Sequence, residues 1–118
     1  MNEFEVLQNS KEGFSIAVSF ENWRIGIINY SNSISIAKKP RKIEKHLFTD
    51  EAFILGYGRA VLYIGEEINP IEMEVGKIYN IRKNTWHAIL LEKHTRVFVV
   101  ENEGTDESNT QYKYFDNE

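Results

Sequence analysis

Apolar residues in this chain recur at every second position, in short runs rich in Ile, Val, Phe and Tyr. A period of two is typical of β-strands that bury one face, whereas the apolar positions of a helix repeat about every 3.6 residues. No convincing apolar stripe with helical spacing and capping residues occurs in the sequence. The pattern therefore predicts an all-β chain with little helix.

We predict about 9 to 11 strands, each bounded by turn residues. Gly56-Tyr57-Gly58 permits a tight hairpin, residues 65–70 form a longer loop, and residues 92–95 form a short one. Many short strands joined in this way are typical of a sandwich or a barrel. The predicted strands cover residues 15–20, 22–30, 33–36, 41–46, 51–56, 58–64, 71–75, 78–81, 85–91, 96–101 and, as a short last strand, 112–115.

The length of 118 residues and the 42% of hydrophobic residues predict one packed domain spanning residues 1–118. Residues 104–110 are polar and acidic, and we interpret them as a loop or a frayed linker. The net charge of −4 argues against a nucleic-acid partner. The N-terminus lacks a signal peptide and no apolar run is long enough to cross a bilayer, so we expect a cytoplasmic protein without a membrane partner.

Two predicted strands are apolar on both faces. Residues 51–55 alternate Ala52 and Ile54 with Phe53 and Leu55, and residues 87–91 show the same pattern. A barrel in water needs polar residues outside, so something must cover these outer faces. A homodimer explains this most economically, and cover by the N-terminal strands is the alternative.

A transition-metal site in this chain requires imidazole and carboxylate ligands, because there is no cysteine. His46 and Glu51 flank a predicted hairpin turn, which can bring their side chains to one face about 5 Å apart. Glu44 has the same parity as His46, and His87 begins another apolar strand. These residues are candidate ligands.

The spacing of these residues resembles the two sequence motifs of the cupins. The first motif matches at His46, at Glu51 after four residues and at Gly58 after six more, and the second matches at Gly76 and His87. The resemblance covers residues 38–91, within a motif-bearing core at 38–101. It implies a double-stranded β-helix, the jelly-roll barrel of that family.

The sequence departs from the cupin motifs at five positions. Glu44 stands where the family has its first histidine, and Lys38 where it has a glycine. In the second motif Arg82 replaces a proline, Asn84 a glycine and Leu91 an asparagine. Asn84 is a mild change, because asparagine tolerates a left-handed backbone. The lost histidine puts catalysis in doubt more than it puts the fold in doubt.

The resemblance implies that Glu44, His46, Glu51 and His87 occupy the family's metal-ligand positions, for Fe, Mn, Ni or Zn. Parity with Glu51 and His87 predicts a mainly apolar ligand pocket. Its predicted lining consists of Phe53, Leu55, Ile89 and Leu91.

Our leading hypothesis is a small cupin that binds a divalent metal and a small organic molecule, with a reaction of the dioxygenase, isomerase or lyase type left open. The alternatives are a metal-free ligand-binding or sensor module, with His87 or Arg82 as anion partner, and a structural dimer without catalysis. The basic residues 38–42 are a solvated loop, an attractor of anionic substrate or a nuclear signal, and His94 is expected to be exposed in a turn.

Overall fold

The computed structural model describes residues 3–115; residues 1–2 and 116–118, the two ends of the predicted domain, lie outside the described range. The regular secondary structure of residues 3–115 is β-strand, apart from two short 3₁₀ turns at Asn32–Ile34 and Glu107–Asn109. The predicted fold class is confirmed. The strands are β1 (Gly13–Phe20), β2 (Trp23–Asn29), β3 (Lys42–His46), β4 (Glu51–Tyr57), β5 (Ala60–Ile64), β6 (Asn69–Glu72), β7 (Ile78–Ile81), β8 (His87–Leu91), β9 (Arg96–Asn102) and β10 (Thr110–Tyr114).

The strands form two five-stranded antiparallel sheets. The first, sheet A, has the order β1-β2-β9-β4-β7, and the second, sheet B, has the order β10-β3-β8-β5-β6. Consecutive strands β3 and β4 belong to different sheets, so the chain crosses between the layers at this hairpin. This alternation between two facing sheets is the jelly-roll arrangement.

The core lies between the sheets, on the faces that the alternating pattern predicted to be apolar. Leu55, Leu91, Val97 and Val99 are at most 1% exposed. The same core includes Ile28, Phe53, Ala60, Leu62, Met73 and Ile81.

Several predicted strand bounds were wrong. Residues 33–36 begin with a 3₁₀ turn and pair with the rest of the fold only through a parallel bridge between Ser35 and Leu91. The strand predicted at 71–75 runs instead over Asn69–Glu72, and the one predicted at 85–91 begins at His87. Asn84, just before it, adopts φ 65°, which fits the left-handed turn that the asparagine allows.

The outer faces of the two sheets differ in how well the chain covers them. Leu90, on the outer face of β8, is buried, whereas Ala52 and Ile54 on the outer face of β4 are half-buried. Strand β2 pairs with β9, and β1 pairs with the other edge of β2, so these N-terminal strands extend sheet A instead of packing across its outer face.

Within residues 3–115, no helix has the length and apolar character that crossing a membrane requires.

The hairpin glycine Gly58 gives a test of the packing. It has φ 89°, and a Cβ there would lie 2.6 Å from Cα of Thr95, whereas Gly65 has φ 85° and open space around it. Gly65→Ala should lower the free energy of unfolding by about 1–2 kcal/mol through backbone strain alone. Gly58→Ala should lower it further, because backbone must also move. Equal losses in urea denaturation would contradict this packing.

Candidate metal centre

Four candidate ligands predicted from the sequence lie together at one end of the space between the sheets. His46 ends β3 and Glu51 begins β4, on either side of the turn at residues 47–50. Glu44 pairs in register with His87, the first residue of β8. Glu51 therefore comes from sheet A, and the other three residues come from sheet B.

Two hydrogen bonds hold the turn before β8 against the turn between β3 and β4. The N–H of Asn84 donates to the carbonyl of His46 at 2.6 Å, and the N–H of Lys83 donates to the carboxylate of Asp50 at 2.8 Å. These bonds link the turn before β8 to the β3–β4 turn. Both histidines are thereby fixed relative to Glu51.

The donor atoms of the four residues converge on a small volume. One ligand atom from each of Glu44, His46, Glu51 and His87 lies within 4.8 Å of all the others. Nε2 of His46 and Nε2 of His87 both lie 3.1 Å from the same oxygen, Oε1 of Glu51. Oε1 of Glu44 lies 3.3 Å from Nε2 of His46. Glu44 is partly exposed, and the other three are buried.

The other ring nitrogen of each histidine also has a partner. Nδ1 of His87 lies 2.9 Å from the carbonyl oxygen of Thr85, and Nδ1 of His46 lies 2.9 Å from the hydroxyl of Thr110. A carbonyl only accepts, so Nδ1 of His87 carries a proton. A neutral His87 therefore presents the lone pair of Nε2 to Glu51.

The surroundings of His46 and Glu51 strongly shift the pKa values of these two residues. Burial alone would lower the pKa of His46, but hydrogen bonds and charge from Glu44 and Glu51 raise this pKa to about 10. Burial alone would raise the pKa of Glu51, but hydrogen bonds from His46 and His87 and their charge lower this pKa to about 2. Without a metal, the cluster is an imidazolium–carboxylate network.

The donor set fits a divalent cation. A lone pair on Nε2 of His87 at 3.1 Å from a carboxylate oxygen is repulsive unless a proton or a metal ion lies between them. Two imidazoles and one or two carboxylates are ligands that Fe, Mn, Ni and Zn accept. The buried positions of three of the four residues would shield such an ion from water.

A cavity of about 720 Å³ adjoins the cluster. Phe53 and Ile89, two of the four predicted pocket residues, contribute to its lining, whereas Leu55 and Leu91 are at most 1% exposed and pack into the core. The difference arises because Leu55 and Leu91 lie farther along their strands, away from the cluster. The lining also includes Phe14, Arg24, Ile28, Arg41, Lys42, Glu44, His46, Glu51, His87, Val99, Glu101, Thr110 and Tyr112.

Sequence reasoning missed a second charged pair in this cavity. Glu101 is buried directly across the β4–β9 pairing from Glu51, and Nη2 of Arg24 donates to its carboxylate at 2.9 Å. Burial and the charge of Glu51 raise the pKa of Glu101, although the hydrogen bond from Arg24 opposes this. A signal existed, since Glu101 shares parity with the apolar residues Val97 and Val99.

Of the other candidates, His94 and Arg82 lie outside the cavity lining, whereas part of the basic stretch belongs to it. His94 is exposed in its turn, with φ 61°, as expected, and Arg82 is exposed outside the cavity lining. Arg41 and Lys42 of the basic stretch do line the cavity. The ammonium group of Lys45 lies over the ring of Trp86, 4.8 Å from the ring centroid. Trp86 does not belong to the cavity lining.

No family model and no curated protein matches this sequence. Solved structures do resemble it. A point variant of Streptomyces Pac13 with uridine has a TM-score of 0.69 at 10% identity over 99% of this chain and 95% of its own, and Pac13 is described as a nucleoside dehydratase. KdgF from Halomonas sp. has a TM-score of 0.61 at 14% identity, over 92% of this chain and 94% of its own.

A third similar structure is a cupin-2 domain protein from Shewanella frigidimarina. It has a TM-score of 0.59 at 16% identity, over 81% of this chain and 85% of its own. The chain has the cupin fold. The predicted resemblance to the cupins is thus confirmed for the fold. Sequence identities this low do not extend the resemblance to function.

The cluster predicts how stability depends on pH in chelator-treated protein. The raised pKa of His46 means that its stabilisation is complete below about pH 6.5 and is lost as the pH rises to about 10. The lowered pKa of Glu51 means that its stabilisation is complete above about pH 4.5 and is lost as the pH falls to about 2.

The free energy of unfolding should therefore differ between the wild type and His46→Gln most at about pH 6, and this difference should shrink towards pH 10. Urea denaturation at several pH values measures the difference. A constant difference across this range would mean that His46 does not titrate with Glu51 and Glu44 as its partners.

Proposed function

We propose that this protein binds a divalent metal ion through His46, Glu51 and His87, with Glu44 as fourth ligand, and a small organic molecule in the adjoining cavity. The observation that carries the proposal is the convergence of both Nε2 atoms on one oxygen of Glu51, each at 3.1 Å. The two Nε2 atoms and the carboxylate oxygen that they share surround one point. A positive charge at that point is favourable.

The charge of the cluster supports a divalent ion. With both histidines neutral, Glu44 and Glu51 together carry two negative charges, which one divalent ion neutralises. Two imidazoles with carboxylate oxygens suit Fe, Mn, Ni or Zn and leave coordination positions open. The metal would polarise an oxygen atom of the bound molecule, or support dioxygen chemistry if it is iron.

The cavity supports a small organic ligand. Its volume of about 720 Å³ falls in the range of small-molecule sites, and it combines apolar walls with a few polar groups. Phe53 and Ile89 provide apolar surface, while Arg24 and Glu101 provide hydrogen-bonding groups beside the cluster. A nucleoside-sized molecule, such as the uridine held by Pac13, is a reasonable first probe. Dioxygenase, isomerase and lyase reactions all suit such a site.

Metal titration tests this proposal. Zinc or manganese added to chelator-treated protein at pH 7 should bind with a stoichiometry of about one, and His87→Gln or Glu51→Gln should weaken binding strongly by removing a ligand. Because the pKa of His46 is about 10 without metal, binding should also release about one proton. Calorimetry in buffers of different ionisation enthalpy measures both.

The control variant is His94→Gln, which removes an exposed imidazole far from the cluster. It should bind metal like the wild type. Absence of binding to the wild type, or equal loss in His94→Gln and His87→Gln, would contradict a metal site at this cluster.

A metal-free ligand-binding module is the second candidate. It is favoured by the raised pKa of His46, because an imidazolium between two carboxylates satisfies the cluster without any metal. In that case uridine or a small carboxylic acid would stabilise the protein to heat equally with and without chelator. A purely structural role fits less well, because the cavity leaves part of the barrel unfilled.

We also propose that the protein is a homodimer that buries the outer face of sheet A. Apolar side chains continue across this face on neighbouring strands: Ile25 on β2, Val100 on β9 and Ala52 on β4 are register partners. Val100 is 36% exposed and Trp23, at the end of β2, is 41% exposed. A contiguous apolar face of this kind is typical of an interface.

Substituting the centre of this face tests the dimer. Val100→Lys should convert the protein to a monomer in sedimentation analysis, because a buried ammonium group has no partner there. Val75→Lys is the matched control, since Val75 is 61% exposed in the turn before β7 and should leave the mass unchanged. A wild-type monomer would exclude the interface.

A further inference from the structure

The hydroxyl group of Thr110 lies between His46 and the backbone of the segment that precedes β10. Nδ1 of His46 is 2.9 Å from Oγ1 of Thr110, and this hydroxyl donates to the carbonyl oxygen of Asp106 at 2.8 Å. Thr110 also faces His46 in the β10–β3 register, and it belongs to the cavity lining. It contacts a candidate metal ligand without reaching the metal position itself.

The donor and acceptor roles of the Thr110 hydroxyl determine which nitrogen of His46 carries a proton. A threonine hydroxyl has one proton, and the carbonyl of Asp106 can only accept, so the hydroxyl donates there. Towards His46 the oxygen must then accept, which requires a proton on Nδ1. When His46 is neutral, its lone pair is therefore on Nε2, the atom that faces Glu44 and Glu51.

We propose that Thr110 is a positioning residue that holds His46 in the Nδ1-protonated form and directs Nε2 at the metal position; this rests on the metal site proposed above. The carbonyl of Thr85 does the same for His87 through the backbone. Outer-shell hydrogen bonds of this type orient ligating histidines and strengthen their bond to the metal. For His46 this function depends on a side chain and can be removed by substitution.

The segment before Thr110 is built to hold its hydroxyl in place. The carboxylate of Asp106 accepts from the N–H of Ser108, and the side-chain oxygen of Asn109 accepts from the N–H of Asp106, which together cap the 3₁₀ turn. The N–H of Leu47, next to His46, donates to the carbonyl of Asn109 at 2.9 Å. Residues 104–110, predicted to be a loop or a frayed linker, thus form an ordered support for His46.

Cobalt(II) binding to Thr110 variants tests the positioning role. Thr110→Val keeps the branched shape but has no acceptor for Nδ1, so cobalt affinity should fall about 10- to 100-fold, and Thr110→Ser should restore it. The control is Thr95→Val, which removes a buried hydroxyl bonded to the backbone of Arg59, far from the cluster. It should lower stability but leave cobalt affinity unchanged.

A second measurement needs no metal. In chelator-treated protein labelled with ¹⁵N-histidine, the Nδ1–H proton of His46 should give an exchange-protected NMR signal that Thr110→Val abolishes and Thr110→Ser retains. An unchanged signal in Thr110→Val, or equal cobalt affinity in the valine variant and the wild type, would overturn the positioning role. Failure of wild-type protein to bind any metal, with the NMR result as expected, would instead overturn the proposed metal site and leave Thr110 positioning His46 for hydrogen bonding.

Discussion

One carboxylate, that of Glu51, organises the end of the barrel that contains the candidate metal centre. Both histidines contact its Oε1, and they come from β3 and β8 of sheet B, whereas Glu51 comes from β4 of sheet A. The cluster therefore joins the two layers as well as forming a candidate site. Replacing Glu51 by an apolar residue would leave two buried imidazoles without their shared partner, which is costly in the interior.

The rest of the barrel buries the cluster on the side of the apolar core and leaves it in contact with the cavity on the other side. The apolar core occupies the part of the barrel that contains Leu55, Leu91 and Val97, and it ends where Phe53 packs edge-on against the ring of His87. Beyond that point the space between the sheets opens into the cavity. If the proposed metal binds, it would replace protons of this network at little structural cost, since the four candidate ligands already lie around the same point.

The resemblance to the cupin motifs implied that Glu44, His46, Glu51 and His87 form one cluster. The period of two explains the strands and indicates which residues of a strand share its inner face. It could not show how far each strand extends, so Leu55 and Leu91 were assigned to the pocket when they belong to the core.

What the sequence did not predict depends on contacts between distant segments. Arg24 and Glu101 meet across 77 positions, and Thr110 reaches His46 across 64. The polar segment before Thr110 has the composition of a loose linker, and only its side-chain hydrogen bonds to its own backbone reveal an ordered turn. Hydrogen bonds between a side chain and the nearby backbone leave no periodic pattern in the sequence, because each depends on a single residue at one position.

The most direct test of metal binding at this cluster is a crystal structure of protein soaked with cobalt or zinc, using anomalous scattering to locate the ion. We expect one strong peak about 2.0–2.2 Å from Nε2 of His46, Nε2 of His87 and a carboxylate oxygen of Glu51. A metal that binds only at surface carboxylates, with both histidines still in contact with Glu51, would contradict this expectation.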